Sequence, residues 1–319
     1  MFYKNNWFTY SYDSILFGKK TSTHSIFDIE LTPTVTTVKS YYEELKDNAT
    51  RIRDTYTGKL DLLFSGGIDS EVVLRIYNDL KIPINICIFK YENDYNYYEF
   101  NRAVKICDSM QLPYTVIDFN LQKFFETDAY DIWTKVHCMG SGWLPLLKMI
   151  EYLDNIPIMG DGEPLWVFNN TSWEFELEEL PHAQGIYCTN INRPMITDWY
   201  EYSPEVILTH ALLPRIQTMR NSLIEVDGNQ IKYLLYKDLW PEIVLRPKRN
   251  GFEKFNTQPR VTSLELQSLI QFQKQHIDTL TISNTVYSFS NEQLFNFLVY
   301  DYEPNYQSVH SDPHIDSLH

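Results

Sequence analysis

The chain is poor in several features that mark common protein classes. It has four cysteines in 319 residues, at Cys87, Cys107, Cys138 and Cys188. No two of them form a Cys-x-x-Cys pair, so zinc-ribbon, iron–sulfur and dithiol chemistry have no ligand set to build on. Cys87 and Cys107 fall in apolar or helical stretches, where buried free thiols are the default, and this points to a reducing compartment. No apolar run approaches the ~18 residues that a membrane span requires, and the opening Met-Phe-Tyr-Lys-Asn-Asn lacks a secretory pattern. The sequence therefore predicts a cytoplasmic protein with no membrane partner. Positive charge is also scarce: 27 Lys and Arg face 42 Asp and Glu, a formal net charge of −15. That deficit argues against nucleic acid as a partner, because sequence-independent binding needs a basic face to displace counterions. Arg246, Lys248 and Arg249 leave room for a local basic patch. Internal repeats and low-complexity tracts are missing.

Apolar material, by contrast, is plentiful. Hydrophobic residues make up 44% and aromatics 15% of the chain, enough for a substantial core in one large domain or two ordinary ones. Lys59 to Phe64, Ile84 to Phe89 and Tyr114 to Ile117 read as buried strands. Between them, Ser70 to Asp79 and Tyr97 to Met110 carry apolar residues at helical spacing, with Pro83 and Pro113 as punctuation. A modest helix is expected over 38–54, before the first strand. Such β-α-β-α-β alternation predicts an α/β fold, a parallel sheet with helices on both faces. Residues 143–153 read as a helix and Ile156 to Met159 as a further strand. Residues 204–226 and 262–275 read as helical. Ser290-Asn-Glu-Gln293 resembles a capping box opening a helix that runs to Val299. Residues 165–203 resist assignment. The expected organisation is a short extension over 1–37, a main domain over 38–255 and a helical extension with a frayed tail over 256–319.

Three constellations carry chemistry. The first is Leu62-Leu63-Phe64-Ser65-Gly66-Gly67-Ile68-Asp69-Ser70. A strand that runs into a glycine turn and then a helix N-terminus makes an anion site: the first N–H groups of the helix have no intrahelical partner, and the dipole adds positive potential. Ser65 and Ser70 add hydroxyls. Asp69 would repel a bare phosphate and makes sense as the holder of a magnesium ion that bridges to it. No Gly-Lys-Ser/Thr follows, so this is not a Walker A loop. The second constellation, Gly160-Asp161-Gly162-Glu163, puts two carboxylates at another strand's carboxyl end, where ligands bind in parallel sheets. Alone it reads equally as a solvated turn; beside the first motif it reads as acids that share a magnesium ion or take a proton from an amine. The third is Trp240-Pro-Glu-Ile-Val-Leu-Arg246-Pro-Lys248-Arg249-Asn-Gly251-Phe252, either a basic surface loop or a source of positive charge for a phosphate in the transition state.

The first motif is similar to the Ser-Gly-Gly-x-Asp-Ser signature of the PP-loop ATP pyrophosphatases, whose members cleave ATP between its α and β phosphates. All three in this order resemble the synthetase domain of asparagine synthetase and its relatives, including β-lactam synthetase, over roughly residues 38–255. The resemblance implies an adenine nucleotide α-hydrolase-like fold, ATP and Mg2+ as cofactors, and an AMP-forming amide synthetase that adenylates a carboxylate and transfers it to ammonia or an amine. It places pyrophosphate on Ser65, Gly66, Gly67 and Ser70, with Gly160 lining the nucleotide site, and adenine near Leu63 and Phe89. It places magnesium on Asp69 and Glu163, proton handling on Asp161 and phosphate contact on Lys248. Departures accompany it. Glu163-Pro164 stands where the family has Asp-Glu, an extra residue separates Lys248 from Gly251, and Phe2 stands where the family's glutaminase has its cysteine, so no glutaminase activity is expected of this chain and nitrogen is expected from free ammonia, a separate glutaminase or an amine-bearing substrate. Two other readings stay open: a PP-loop enzyme that modifies a nucleobase, and a degenerate scaffold that binds nucleotide without turnover.

Overall fold

The computed structural model describes residues 8–12, 27–31, 34–136, 144–161, 163–168, 171–177, 184–185, 187–188, 190–196, 199–221, 228–245, 271, 287–289 and 298–300. Its centre is a four-stranded parallel sheet, formed by β4 (Leu60–Leu63), β5 (Asn85–Tyr91), β6 (Thr115–Phe119) and β7 (Ile156–Ile158), in the order β6-β5-β4-β7. Three strands precede it: β1 (Phe8–Tyr12) pairs antiparallel with β2 (Phe27–Leu31), and β3 (Thr34–Thr36) belongs to a different sheet. The α/β architecture expected from the alternation is therefore present, with boundaries within a few residues of those read from the pattern.

Helices cover both faces of the sheet because successive strand residues point to opposite sides. Leu60, Leu62, Ile86 and Ile88 are buried in one apolar cluster with α1 (Tyr41–Thr55), α2 (Ile68–Asp79) and α3 (Tyr97–Met110). Leu63, Cys87 and Phe89 are buried in a second cluster with α4 (Leu121–Thr127), α5 (Ala129–Val136) and α6 (Leu144–Ile150). α1 starts on a reciprocal cap, Ser40 with Glu43, that satisfies two otherwise orphaned donors. At the amino end of the sheet, the buried Asp61 carboxylate accepts from the Asn85 side chain at 2.8 Å and from the Asn155 backbone and side chain at 2.8 and 2.9 Å. One carboxylate on the central strand thus ties β4 to β5 and to the start of β7.

Several elements differ from the sequence expectations. The helix expected over 204–226 is, up to 221, two helices, α7 (Pro204–Leu212) and α8 (Pro214–Asn221); residues 222–226 lie outside the described residues. Pro214 has no N–H to continue the ladder and drives Leu213 into extended backbone, φ −58° and ψ 133°. Within the unassigned 165–203 region, β8 (Leu165–Phe168) and β9 (Trp173–Leu177) form an antiparallel pair that β10 (Tyr287–Phe289) extends. The helix expected to run to Val299 does not do so: Leu298–Tyr300 is a strand, β11, parallel to β3. Pairing with a partner far away in sequence overrides the local helical signal there. Most of 262–275, and residues 290–297, lie outside the described residues. α9 (Gly228–Lys237), which was not foreseen, packs against α2. Among the described residues no helix is long and apolar enough to cross a membrane.

Candidate active site

The carboxyl end of β4 runs directly into the glycine turn. Phe64 N–H still donates to Cys87 O at 2.9 Å, and α2 begins at Ile68 with Gly67 as its N-cap. No side chain caps that helix, so its first-turn donors are left for another acceptor. Gly66 takes φ +72°, and a Cβ there would stand 2.7 Å from the backbone nitrogen of Ala103 in α3. Only glycine makes this turn against that helix. The Ser65 and Ser70 hydroxyls lie 3.1 Å apart, and Ser65 Oγ accepts from Gly67 N–H at 3.2 Å. The loop is thus folded back on its own hydroxyls with the α2 N-terminus beneath it.

The second motif comes to the same place along β7. Gly160 is pressed against the start of α2: a Cβ on it would meet Ser70 Cα at 2.7 Å and Ser70 N at 2.9 Å. Asp161 and Glu163 follow at once. Glu163 is buried, and it and Asp69 face a common cation, the Lys232 ammonium of α9. Lys232 Nζ is 2.9 Å from Asp69 Oδ2 and forms an ion pair with Glu163. Glu163 also accepts from the hydroxyl of Tyr236, one helical turn beyond Lys232, and Tyr236 lies 3.0 Å from the Tyr41 hydroxyl of α1. Tyr200 anchors the loop aspartate by donating to the Asp69 carbonyl oxygen at 2.8 Å. Burial, reinforced by the Asp69 charge, pushes the Glu163 carboxyl above its usual range despite Lys232. For Lys232, burial works against the charge, but the two carboxylates outweigh it and hold the ammonium above the ordinary lysine value.

The structure therefore brings Ser65, Gly66, Gly67, Asp69, Ser70, Gly160, Asp161 and Glu163 to one end of the sheet. Leu63 and Phe89 stand on the side of the sheet that faces the second cluster, each only 8% exposed, with Phe89 edge-on to Phe119 and Tyr152. Lys248, with Arg246 and Arg249, lies outside the described residues. Lys232, Tyr236 and Gln184 were missed. The i, i+4 spacing of Lys232 and Tyr236 on a helix was the available signal for a shared face, but nothing local names their partner. Gln184, fully buried, donates from Nε2 to Asp161 Oδ2 at 2.8 Å.

A buried histidine flanks this polar core. His210 of α7 accepts from Trp166 Nε1 on Nδ1 at 3.2 Å, which places its proton on Nε2. Burial, with the nearby charges of Lys232 and Arg220, pushes its pKa down to about 3. The unfolded chain, with an ordinary histidine near 6.5, takes up a proton that the folded chain refuses over that interval. Stability contributed in this way is complete above that ordinary value and is lost as pH falls, by at most about 1.4 kcal/mol per pH unit. Urea unfolding of wild type and His210→Gln at neutral and mildly acidic pH checks this: the wild type is expected to show the steeper acid loss. Equal slopes would remove His210 from the account.

No protein-family model and no curated protein matches the chain. Among solved structures it is similar to the NH3-dependent NAD synthetase from Campylobacter jejuni, with 11% identity over 75% of this chain and 93% of that one and a TM-score of 0.32. It is similar also to NMN synthetase from Francisella tularensis, with 11% identity, 77% and 96% coverage and a TM-score of 0.30. A predicted subunit of tRNA methyltransferase from Methanocaldococcus jannaschii gives 14% identity, 60% and 94% coverage and a TM-score of 0.30. Likeness at this level carries no argument about function.

Proposed function

We propose that the chain is an ATP-dependent, AMP-forming amide synthetase of the asparagine synthetase-like kind, which adenylates a small-molecule carboxylate and passes the acyl group to ammonia or an amine. The observation that carries this reading is the convergence of an uncapped helix N-terminus, a serine-lined glycine turn and two carboxylates on one sheet edge. A phosphate chain would lie on the α2 N–H groups with the Ser65 and Ser70 hydroxyls as further donors. A substrate carboxylate oxygen then bonds to the α-phosphorus as the bond to pyrophosphate breaks. Lys232, at this edge, supplies positive charge where negative charge builds up, beside whatever Lys248 adds. In the second step a nitrogen lone pair attacks the acyl carbon, the bond to AMP breaks, and Asp161 takes the proton released from nitrogen.

Magnesium fits the residues present. Asp69 Oδ1 is buried with no hydrogen-bond partner, and carboxylate oxygens are the hard ligands this ion prefers. Among the described residues no group of three or more metal-binding side chains is found. Magnesium characteristically takes one or two carboxylates and completes its shell with phosphate and water. Asp69 and Glu163 would hold it, and its charge would offset that of the phosphates.

The direct test is release of AMP and pyrophosphate from magnesium ATP across a panel of amino acids and other small carboxylates, with and without ammonium. Wild type is expected to form AMP with one carboxylate class, and Asp69→Ala to lose at least about a hundredfold of that rate, the scale on which a transition-state charge contact acts. ATP bound without AMP formation under any condition would favour the scaffold reading instead.

A further inference from the structure

Gln184 carries a half-satisfied amide in a defined orientation. Its Nε2 donates to Asp161 Oδ2 at 2.8 Å. A carboxylate only accepts, so the amide cannot turn its oxygen toward Asp161 without opposing two acceptors. The orientation is therefore fixed by chemistry, and Oε1 is left buried with no hydrogen-bond partner. A buried carbonyl oxygen in that state is costly to leave unpaired, and a donor would relieve it. Asp161 follows Gly160, which is wedged against the backbone of Ser70, so the pair stands beside the start of α2.

We infer that Gln184 Oε1 and the Asp161 carboxylate together seat the attacking nitrogen and select for free ammonium or a primary amine. The inference rests on the amide synthetase reading above. Two acceptors, one of them charged, suit a small cation with several N–H donors. A hydroxyl or thiol nucleophile has one hydrogen and satisfies only one of them. Asp161 takes one proton from the bound ammonium, which frees the lone pair; as the bond to the acyl carbon forms and the bond to AMP breaks, a second proton leaves the nitrogen for the AMP phosphate. Gln184 Oε1 keeps hold of a remaining N–H and so orients the lone pair.

The test uses the full chain and inorganic probes. The Gln184 side-chain amide resonance, assigned by its loss in Gln184→Met, is expected to shift saturably with ammonium chloride and with methylammonium chloride. Potassium chloride and tetramethylammonium chloride at equal ionic strength should leave it unmoved. Asp161→Asn keeps the shape and removes the charge, and is expected to weaken the ammonium response about tenfold, as loss of one charge-assisted contact implies. If Gln184→Met fails to fold, Asp161→Asn still carries the comparison. A resonance that ignores ammonium, or responds equally to potassium, overturns the inference. Magnesium ATP added to the same sample separates the two readings. Nucleotide binding without an ammonium response removes the nitrogen seat alone, whereas an ammonium response without nucleotide binding removes the synthetase reading.

Discussion

Lys232→Met is expected to cost about 2–3 kcal/mol of stability at neutral pH, somewhat less than the 3–5 kcal/mol for breaking a fully buried ion pair. The reason is what it leaves behind. Glu163 is 3% exposed at its side chain and Asp69 36%, and without the ammonium two negative charges would face each other with only Tyr236 bound to the deeper one. The variant has one escape, to protonate Glu163. Its folded-state pKa would then stand well above the unfolded one, so the variant gains stability as pH falls through that raised range and loses it as pH rises. Denaturant unfolding of wild type and variant between mildly alkaline and mildly acidic pH should show the gap closing on the acid side. A gap that stays constant with pH would mean that Lys232 contributes packing and not charge. In the AMP assay the same variant is expected to fall by two to three orders of magnitude, about the loss seen when one transition-state donor is removed.

Gly160→Ala is the second large effect. The added methyl has nowhere to go. It would sit 2.7 Å from Ser70 Cα and 2.9 Å from Ser70 N, and both are backbone atoms of a helix start that cannot rotate aside. Relief requires β7 or the first turn of α2 to move, which displaces Asp161 from Gln184 and Asp69 from Lys232 together. A loss of about 2–4 kcal/mol is expected, in the range of overpacked or strained core sites, along with loss of nucleotide binding. Gly67→Ala makes a useful contrast: its nearest new contact is the movable Ser65 hydroxyl at 3.2 Å. If Gly160→Ala melts within a degree or two of wild type, the contact between the two motifs is looser than described.

The parts of the site that could be read in advance are those that speak through short-range pattern. Leu62 to Ser70 declares strand, turn and helix within nine residues, because the change from apolar run to glycine pair to helical spacing is local. Gly160 to Glu163 declared itself by glycine and acid at a strand end. What could not be read is pairing across the chain. Lys232 meets Asp69 at a separation of 163 residues, and Gln184 meets Asp161 at a separation of 23. Neither lysine on a helix nor glutamine in an unassigned stretch signals a site. β11 makes the same point for the fold: Leu298, Val299 and Tyr300 suit a helix by their neighbours and become a strand through Thr34 to Thr36. The division of 204–221 into two helices, by contrast, was written in Pro214 and was available to a stricter reading of proline.

The Asp61 clamp implies a division of labour along the sheet. Alignment of the three strands is enforced at the end remote from the glycine turn, by a carboxylate whose three partners at 2.8, 2.8 and 2.9 Å all come from asparagine side chains or backbone. The opposite rim is therefore relieved of holding the strands in step. Apart from the glycines packed against α2 and α3, side chains there can differ while the three strands stay aligned, much as a lathe keeps its alignment at the headstock while the tool at the other end is changed.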